Sequence, residues 1–316
     1  MSFQDDTSQR ILLIGAGELG SAILPHLQLL PNVFITVGVR SVTKYTHLGS
    51  LNTAIQFLDI TGPELLLTEK FAQFDVVISC TGFGQEPGRL MDLARQILAA
   101  GKLRESLGKG KLWFFPWQWG VDYDITGDAD GLMPLFGQQV HVRNLLRSKA
   151  KESNVKWTIL STGIFMSFLF QQTWGVIEKE SENVSNTRKI NVSALRDLDH
   201  KVTVTDVSDI GKVLARIMAG AIESEDRILY VAGDTVSYKQ LADIIRRATG
   251  EYVHEQVWTM PHLKEELAKD PDNLTKKYRV VFAGHGVSWD KQLTVNHQLE
   301  IPVTDVETYA REHLSF

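Results

Sequence analysis

A doubly wound α/β fold on a parallel sheet is what this sequence predicts, on three observations. Short apolar runs alternate with amphipathic segments from Arg10 to Ser161. The apolar runs are unbroken, as strands buried on both faces require. The first run leads straight into a glycine-rich turn that opens a helix.

The elements follow in order. Arg10 to Ile14 reads as a strand, and Ser21 to Leu30 as a helix with Ile23, Leu24, Leu27 and Leu30 at helical spacing. Val33 to Val39 and Ala54 to Leu58 are the second and third strands, the latter ending at Asp59. Glu64 to Phe74 has helical character. Asp75 to Cys80 is the fourth strand, and Leu90 to Ala100 a helix closed by Gly101. Lys111 to Phe115 is the fifth strand, Gly137 to Ser153 a long amphipathic helix, and Trp157 to Ser161 the sixth strand. Beyond Gly163 the pattern loosens. Phe165 to Trp174 is aromatic-rich, and Lys179 to Lys189 reads as an exposed loop or helix end. Lys201 to Val207 and Arg227 to Ala232 look like strands, and Ser208 to Ala221 like a helix. Ser237 caps a helix running to Gly250, and Glu251 to Phe316 is mixed. The expected layout is a Rossmann domain over residues 1–163, to which 201–235 return. A smaller, discontinuous substrate-binding portion takes 164–200 and 236–316.

Composition narrows the function. A chain of 316 residues, 43% hydrophobic and 22% charged, has ample core for a globular enzyme. A net charge of −5 gives no general attraction to nucleic acid or an anionic membrane. No apolar run reaches the roughly 18 residues of a membrane span. Residues Met1 to Arg10 lack the character of a signal or transit peptide. Cys80 is the single cysteine and sits in an apolar strand, which fits a reducing compartment. The expectation is a cytoplasmic protein with a small-molecule partner; no oligomeric state is specified.

Gly15, Gly17 and Gly20 form G-x-G-x-x-G, with Glu18 and Leu19 between the last two. In the first strand-to-helix turn this pattern signals dinucleotide binding. Gly15 permits the tight turn, Gly17 lets the backbone approach a pyrophosphate, and Gly20 lets helix and strand pack. The helix N-terminus offers its amides to the phosphates. The second strand ends in Arg40, Ser41 and Lys44 rather than the carboxylate that would hold a free ribose 2′-hydroxyl. A guanidinium fork, a hydroxyl and an ammonium suit a 2′-phosphate, so the expected cofactor is NADPH. Thr81, Gly82 and Phe83 follow the fourth strand, at the sheet end where ligands bind.

The segment Phe114-Phe115-Pro116-Trp117-Gln118-Trp119-Gly120-Val121-Asp122 resembles the F-x-P-S-E-F-G segment of isoflavone-reductase-like proteins. These form part of the NmrA-like branch of the atypical short-chain dehydrogenases. The G-A-G-E-L-G turn, Val142-Arg143, Thr158 to Phe165 and Thr205 to Gly211 add to the resemblance, which spans residues 10–245. It implies NADPH-dependent reduction of a conjugated or aromatic-linked small molecule. The family's catalytic lysine, four residues before the Arg of the V-R pair, falls on Gln139, and its Ser-Glu is replaced by Trp117-Gln118. No Tyr-x-x-x-Lys pair is present. An amide hydrogen-bonds but cannot protonate a substrate.

Three readings remain open. The first is a reductase of an aromatic or alkaloid-like metabolite, passing hydride to an iminium C=N or an activated C=C bond. The second is a non-catalytic NADP(H)-sensing regulator, and the third a redox-neutral isomerase or cyclase. The resemblance places Gln139 at the catalytic position, and Asp122 and Tyr123 are proton-relay candidates after the fifth strand. His141 lies two helix positions from Gln139, so their side chains diverge by about 200°. Trp117, Gln118, Trp119, Gln138, Phe165, Phe168 and Trp174 are the candidate substrate-binding residues.

Overall fold

A computed structural model describes residues 8–82, 86–180 and 189–314. In chain order the strands are β1 (Gln9–Ile14), β2 (Val33–Val39), β3 (Thr53–Phe57), β4 (Val76–Ser79), β5 (Leu112–Phe115), β6 (Val155–Ser161), β7 (Ile164–Phe165), β8 (Ile177–Glu180), β9 (Lys189–Leu195), β10 (Lys201–Thr205), β11 (Arg227–Tyr230), β12 (Asp234–Ser237) and β13 (Tyr252–Trp258). The chain divides into two compact units. The first takes residues 1–118, 137–160 and 211–229, and the second takes 119–136, 161–210 and 230–316. This differs from the expected layout in three places. Residues 119–136 and 161–163 cluster with the second unit, and of 201–235 only 211–229 return to the first.

In the first unit seven strands form one sheet in the order β11-β6-β5-β4-β1-β2-β3. Strands β1 to β6 pair in parallel. This is the Rossmann arrangement: the chain steps outward from β1 to β3, then restarts beside β1 at β4. The crevice at the carboxyl ends of β1, β2 and β4 follows from that reversal. The strands are apolar because both faces are covered; Ile11, Leu12, Leu13, Val76, Val77 and Ile78 are all fully or almost fully buried.

Two helix boundaries depart from expectation. The first helix spans Glu18–Gln28 and starts a turn before Ser21, because Gly17 is its N-cap. The helix expected to close at Gly101 continues through it, from Arg89 to Ser106. A Cβ at Gly101 would lie 2.1 Å from the Ser153 carbonyl oxygen and 2.4 Å from Val155 Cγ2. The glycine lets this helix press on the chain entering β6, and the stop comes at Gly108, with φ +68°. Arg104, on the same helix and 3% exposed, donates to the carbonyls of Ala72, Phe74 and Gly110 and pairs with Asp75 at 2.8 Å. It thereby satisfies the backbone that leads into β4. The helix expected from Gly137 begins at Pro134 and runs to Lys149, with a short 3-10 turn at Lys151–Ser153.

The second unit holds two three-stranded sheets, β12-β10-β7 and β13-β9-β8. Lys179 and Glu180 close β8 and Lys189 opens β9, which corrects the expectation of a loop at those residues; 181–188 lie outside the described residues. Strand β13 pairs with β9 in parallel along its whole length. Ser237 caps the helix Tyr238–Thr249 in a reciprocal capping box with Gln240, and Gly250 ends it in the left-handed conformation. Among the described residues no helix is long and apolar enough to cross a membrane, and no cluster of metal-ligating side chains occurs.

Alanine is the better helix former, by about 1 kcal/mol over glycine. Gly101→Ala is nevertheless expected to destabilise the protein by about 1–3 kcal/mol through overpacking against Ser153. Denaturant titration checks this; a neutral or stabilised variant would contradict the packing role.

Candidate active site

A cleft of about 670 Å³ opens at the carboxyl end of the first unit's sheet. The turn after β1 supplies Gly15, Ala16 and Gly17, and the end of β2 supplies Arg40, Ser41, Lys44 and Tyr45. Leu58 to Thr61 follow β3, Cys80 to Gly82 follow β4, and Glu86 and Arg89 complete the lining.

The three glycines of the turn are required for three different reasons. Gly15 has φ +94°, and a Cβ there would lie 2.3 Å from Thr81 Oγ1. A Cβ on Gly20 would meet the Gly15 carbonyl oxygen at 2.1 Å, so this glycine lets the helix seat on the turn. A Cβ on Gly17 would meet no protein atom within 4 Å. Protein packing therefore does not demand glycine at 17, whereas a ligand lying against the backbone would. The helix that begins at Glu18 has no side-chain cap, so its first amides are supplied at the cleft with a positive dipole end. Leu19 and Gly20 are buried beneath that end, and Glu18 is exposed in its first turn.

Arg40, Ser41 and Lys44 are exposed on the cleft wall. Neither Arg40 nor Lys44 has an ion-pair partner among the described residues; Lys44 Nζ lies 5.3 Å from the Tyr45 ring centre. Asp59 is the nearby acid. Its Oδ1 accepts from the Thr61 hydroxyl at 2.6 Å and the Thr61 amide at 2.9 Å. These bonds, with smaller attractions from Arg89 and Arg40, hold its carboxyl below the usual range. Cys80 stands at the end of β4, where burial pushes its thiol up and keeps it protonated. Thr81 donates to the Ile14 carbonyl at 3.2 Å, fixing the β4 loop to the glycine turn. Phe83 lies outside the described residues.

Trp117 packs on Gly82: a Cβ there would come within 2.5 Å of Trp117 Cζ2. The next residue is not a free ligand group. Gln118 is 1% exposed; its Nε2 donates to the Gln139 carbonyl at 2.9 Å, and its Oε1 accepts from Arg143 Nε at 2.7 Å. This corrects its reading as a substrate-binding side chain: both ends of the amide are used in holding the β5 loop to the helix Pro134–Lys149. Gln139 is likewise 1% exposed, and its Oε1 has no hydrogen-bond partner among the described residues. Gln138 is half-buried and His141 exposed.

The proton-relay candidates belong to the second unit and are engaged there. Asp122 caps the helix Tyr123–Thr126 by accepting from the Asp124 amide, and its Oδ2 accepts from the Tyr230 hydroxyl at 2.7 Å. Tyr123 is buried, meets Phe136 edge-on at 5.0 Å, and sets its hydroxyl against Gly120. Both are structural groups in this conformation rather than free relays. Trp119 is buried in the same unit and Phe165 half-buried in β7. Phe168 packs on Trp174 at 4.9 Å and on Tyr278 at 6.2 Å, and Tyr278 meets Phe136 at 5.8 Å. Trp174 is 1% exposed, so it is core beneath this cluster. Tyr278 was not legible as a partner, since it comes from a polar segment far along the chain.

The NmrA-like family profile matches residues 7–304. An NmrA-like family domain-containing oxidoreductase of Gibberella moniliformis is 34% identical over 320 residues, covering 96% of this chain and 98% of its own. Among solved structures, an isoflavone reductase superposes with a TM-score of 0.71 at 15% identity, covering 97% of this chain and 99% of its own. The NADPH complex of an Escherichia coli NADPH-dependent quinone oxidoreductase superposes with a TM-score of 0.70 at 19% identity, covering 96% and 99%. At these identities the structural likeness is one of fold.

The glycines separate by experiment. Gly20→Ala is expected to cost about 2 kcal/mol or more in unfolding free energy, because its Cβ meets backbone. Gly17→Ala should cost under about 1 kcal/mol, the price of a poorer N-cap. Equal losses in denaturant titrations would contradict the assignment.

Proposed function

The chain belongs to the NmrA-like family, and from that premise we propose that it is an NADPH-dependent reductase of an aromatic or alkaloid-like small molecule. The residues of the cleft fit NADPH. Gly17 leaves open space against the backbone, the uncapped helix start faces phosphate, and Arg40, Ser41 and Lys44 offer a 2′-phosphate charge and hydrogen bonds. NADPH, when bound, supplies the hydride. The open face at Gly17, with an Arg40 that has no ion-pair partner among the described residues, is the observation that carries the reading.

The polar groups of the protein favour a substrate that arrives already activated. Asp122 and Tyr123 are committed to structural contacts, and Gln139 has no proton to give. The buried Gln139 Oε1, without a hydrogen-bond partner among the described residues, is an acceptor. A carboxamide here suits the N–H of a protonated C=N group, which is electrophilic without further acid catalysis, whereas reduction of a neutral carbonyl calls for a proton donor more acidic than an amide. An activated C=C bond is the alternative hydride acceptor. The fold it shares with an isoflavone reductase supports an aromatic substrate. The same lack of a free acid favours a second reading, a nucleotide-sensing regulator that binds NADPH without turnover.

Following nicotinamide absorbance with a panel of cyclic imines and matched ketones decides between them. Reduction of imines alone is expected. NADPH binding without turnover of any imine or activated alkene favours the regulator. Arg40→Ala should weaken NADPH at least about tenfold more than NADH, the scale of a charge-assisted hydrogen bond; equal losses would contradict the 2′-phosphate assignment. Gln139→Lys should slow imine reduction about tenfold or more by placing a cation beside a cationic substrate, with NADPH affinity unchanged. Unchanged turnover would remove Gln139 from the site.

A further inference from the structure

Arg89 lines the dinucleotide cleft, yet nothing in the sequence motif calls for it. It is the first residue of the helix Arg89–Ser106, where the positive dipole end disfavours a cation. A residue that breaks a local rule in a cleft invites a functional reason. Glu86 fixes its orientation: Arg89 Nε donates to Glu86 Oε2 at 2.9 Å. Its two terminal nitrogens have no hydrogen-bond partner among the described residues, and the side chain is 36% exposed.

Its place in the sheet defines what it reaches. The β2 and β4 strands flank β1, so Arg40, just after β2, and Arg89, at the start of the helix after β4, belong to segments on either side of the glycine turn. The Asp59 carboxylate, after β3, feels both guanidiniums. The phosphates are provided for by the glycine turn and by Arg40, Ser41 and Lys44. What remains between these loops is the flat base of the adenosine. A guanidinium held at its Nε by a carboxylate keeps its plane fixed, which suits stacking on an aromatic ring.

We propose that Arg89, pinned by Glu86, stacks its guanidinium on the adenine ring of the bound dinucleotide. This rests on the NADPH reading of the cleft. The contact lies in the half of the cofactor common to NADPH, NADH and ADP-ribose, so it contributes affinity without discriminating among them, in contrast to Arg40.

Isothermal titration calorimetry of the full chain with NADPH, NADH and ADP-ribose tests it. Arg89→Ala should weaken all three by a similar factor, about five- to tenfold. Arg89→Lys keeps the charge and loses the plane, so it should stay within about twofold of the alanine variant. Recovery of wild-type affinity by lysine would mean a simple charge contact with phosphate and would overturn the stacking. Loss confined to NADPH would make Arg89 a 2′-phosphate residue and overturn the proposal too. Wild-type binding with an unaltered Arg89→Ala overturns Arg89 alone. A wild-type protein that binds none of the three overturns the reading of the cleft itself, and Arg89 with it.

Discussion

The carbonyl oxygen of Gly15 and the Cα of Gly20 approach so closely that a Cβ would stand 2.1 Å from that oxygen. That contact sets where the first helix begins and which way its amides face. Because the helix seats directly on the turn, its uncapped start opens on the end of the sheet, and Gly17 is left with nothing but space beside it. Arg40, Asp59, Thr81 and Arg89 gain their meaning from this arrangement. They follow three different strands, β2, β3 and β4, and are gathered because the strand order reverses at β1 and β4. A rigid sheet thus places side chains that no local propensity could bring together.

Around Gln139 the buried polar groups largely hold one another. Arg143 is fully buried, and a neutral amide, Gln118, is among the groups that meet its guanidinium. A buried cation requires acceptors, and the amide oxygen provides one without adding a second charge. The neutral amides at 118 and 139 agree with the proposed reading, in which the protein donates no proton and the substrate arrives already activated.

Much of the first unit was legible in the sequence, and the reasons are physical. Parallel strands buried on both faces write unbroken apolar runs, and β2 was read from Val33 to Val39 to the residue. The glycine turn was legible because each of its glycines answers a local demand. Gly101 was misread because a glycine in a helical pattern looks like punctuation; its true partner, Ser153, is distant in sequence. Strand β13 was missed because only Val253 in it is buried and polar and apolar residues mix along it, and its pairing with β9 is a long-range choice. The engagement of Asp122 by Tyr230 and the arrival of Arg89 in the cleft were invisible for the same reason. Both depend on where separate segments meet, which periodicity does not encode.

The central claim is that the cleft binds a dinucleotide through its 2′-phosphate. Calorimetric titration of the wild-type protein with NADPH and NADH side by side tests it most directly. The account requires NADPH to bind at least about tenfold more tightly than NADH at the same ionic strength. Equal affinity for the two, or no binding of either by the folded protein, would contradict it.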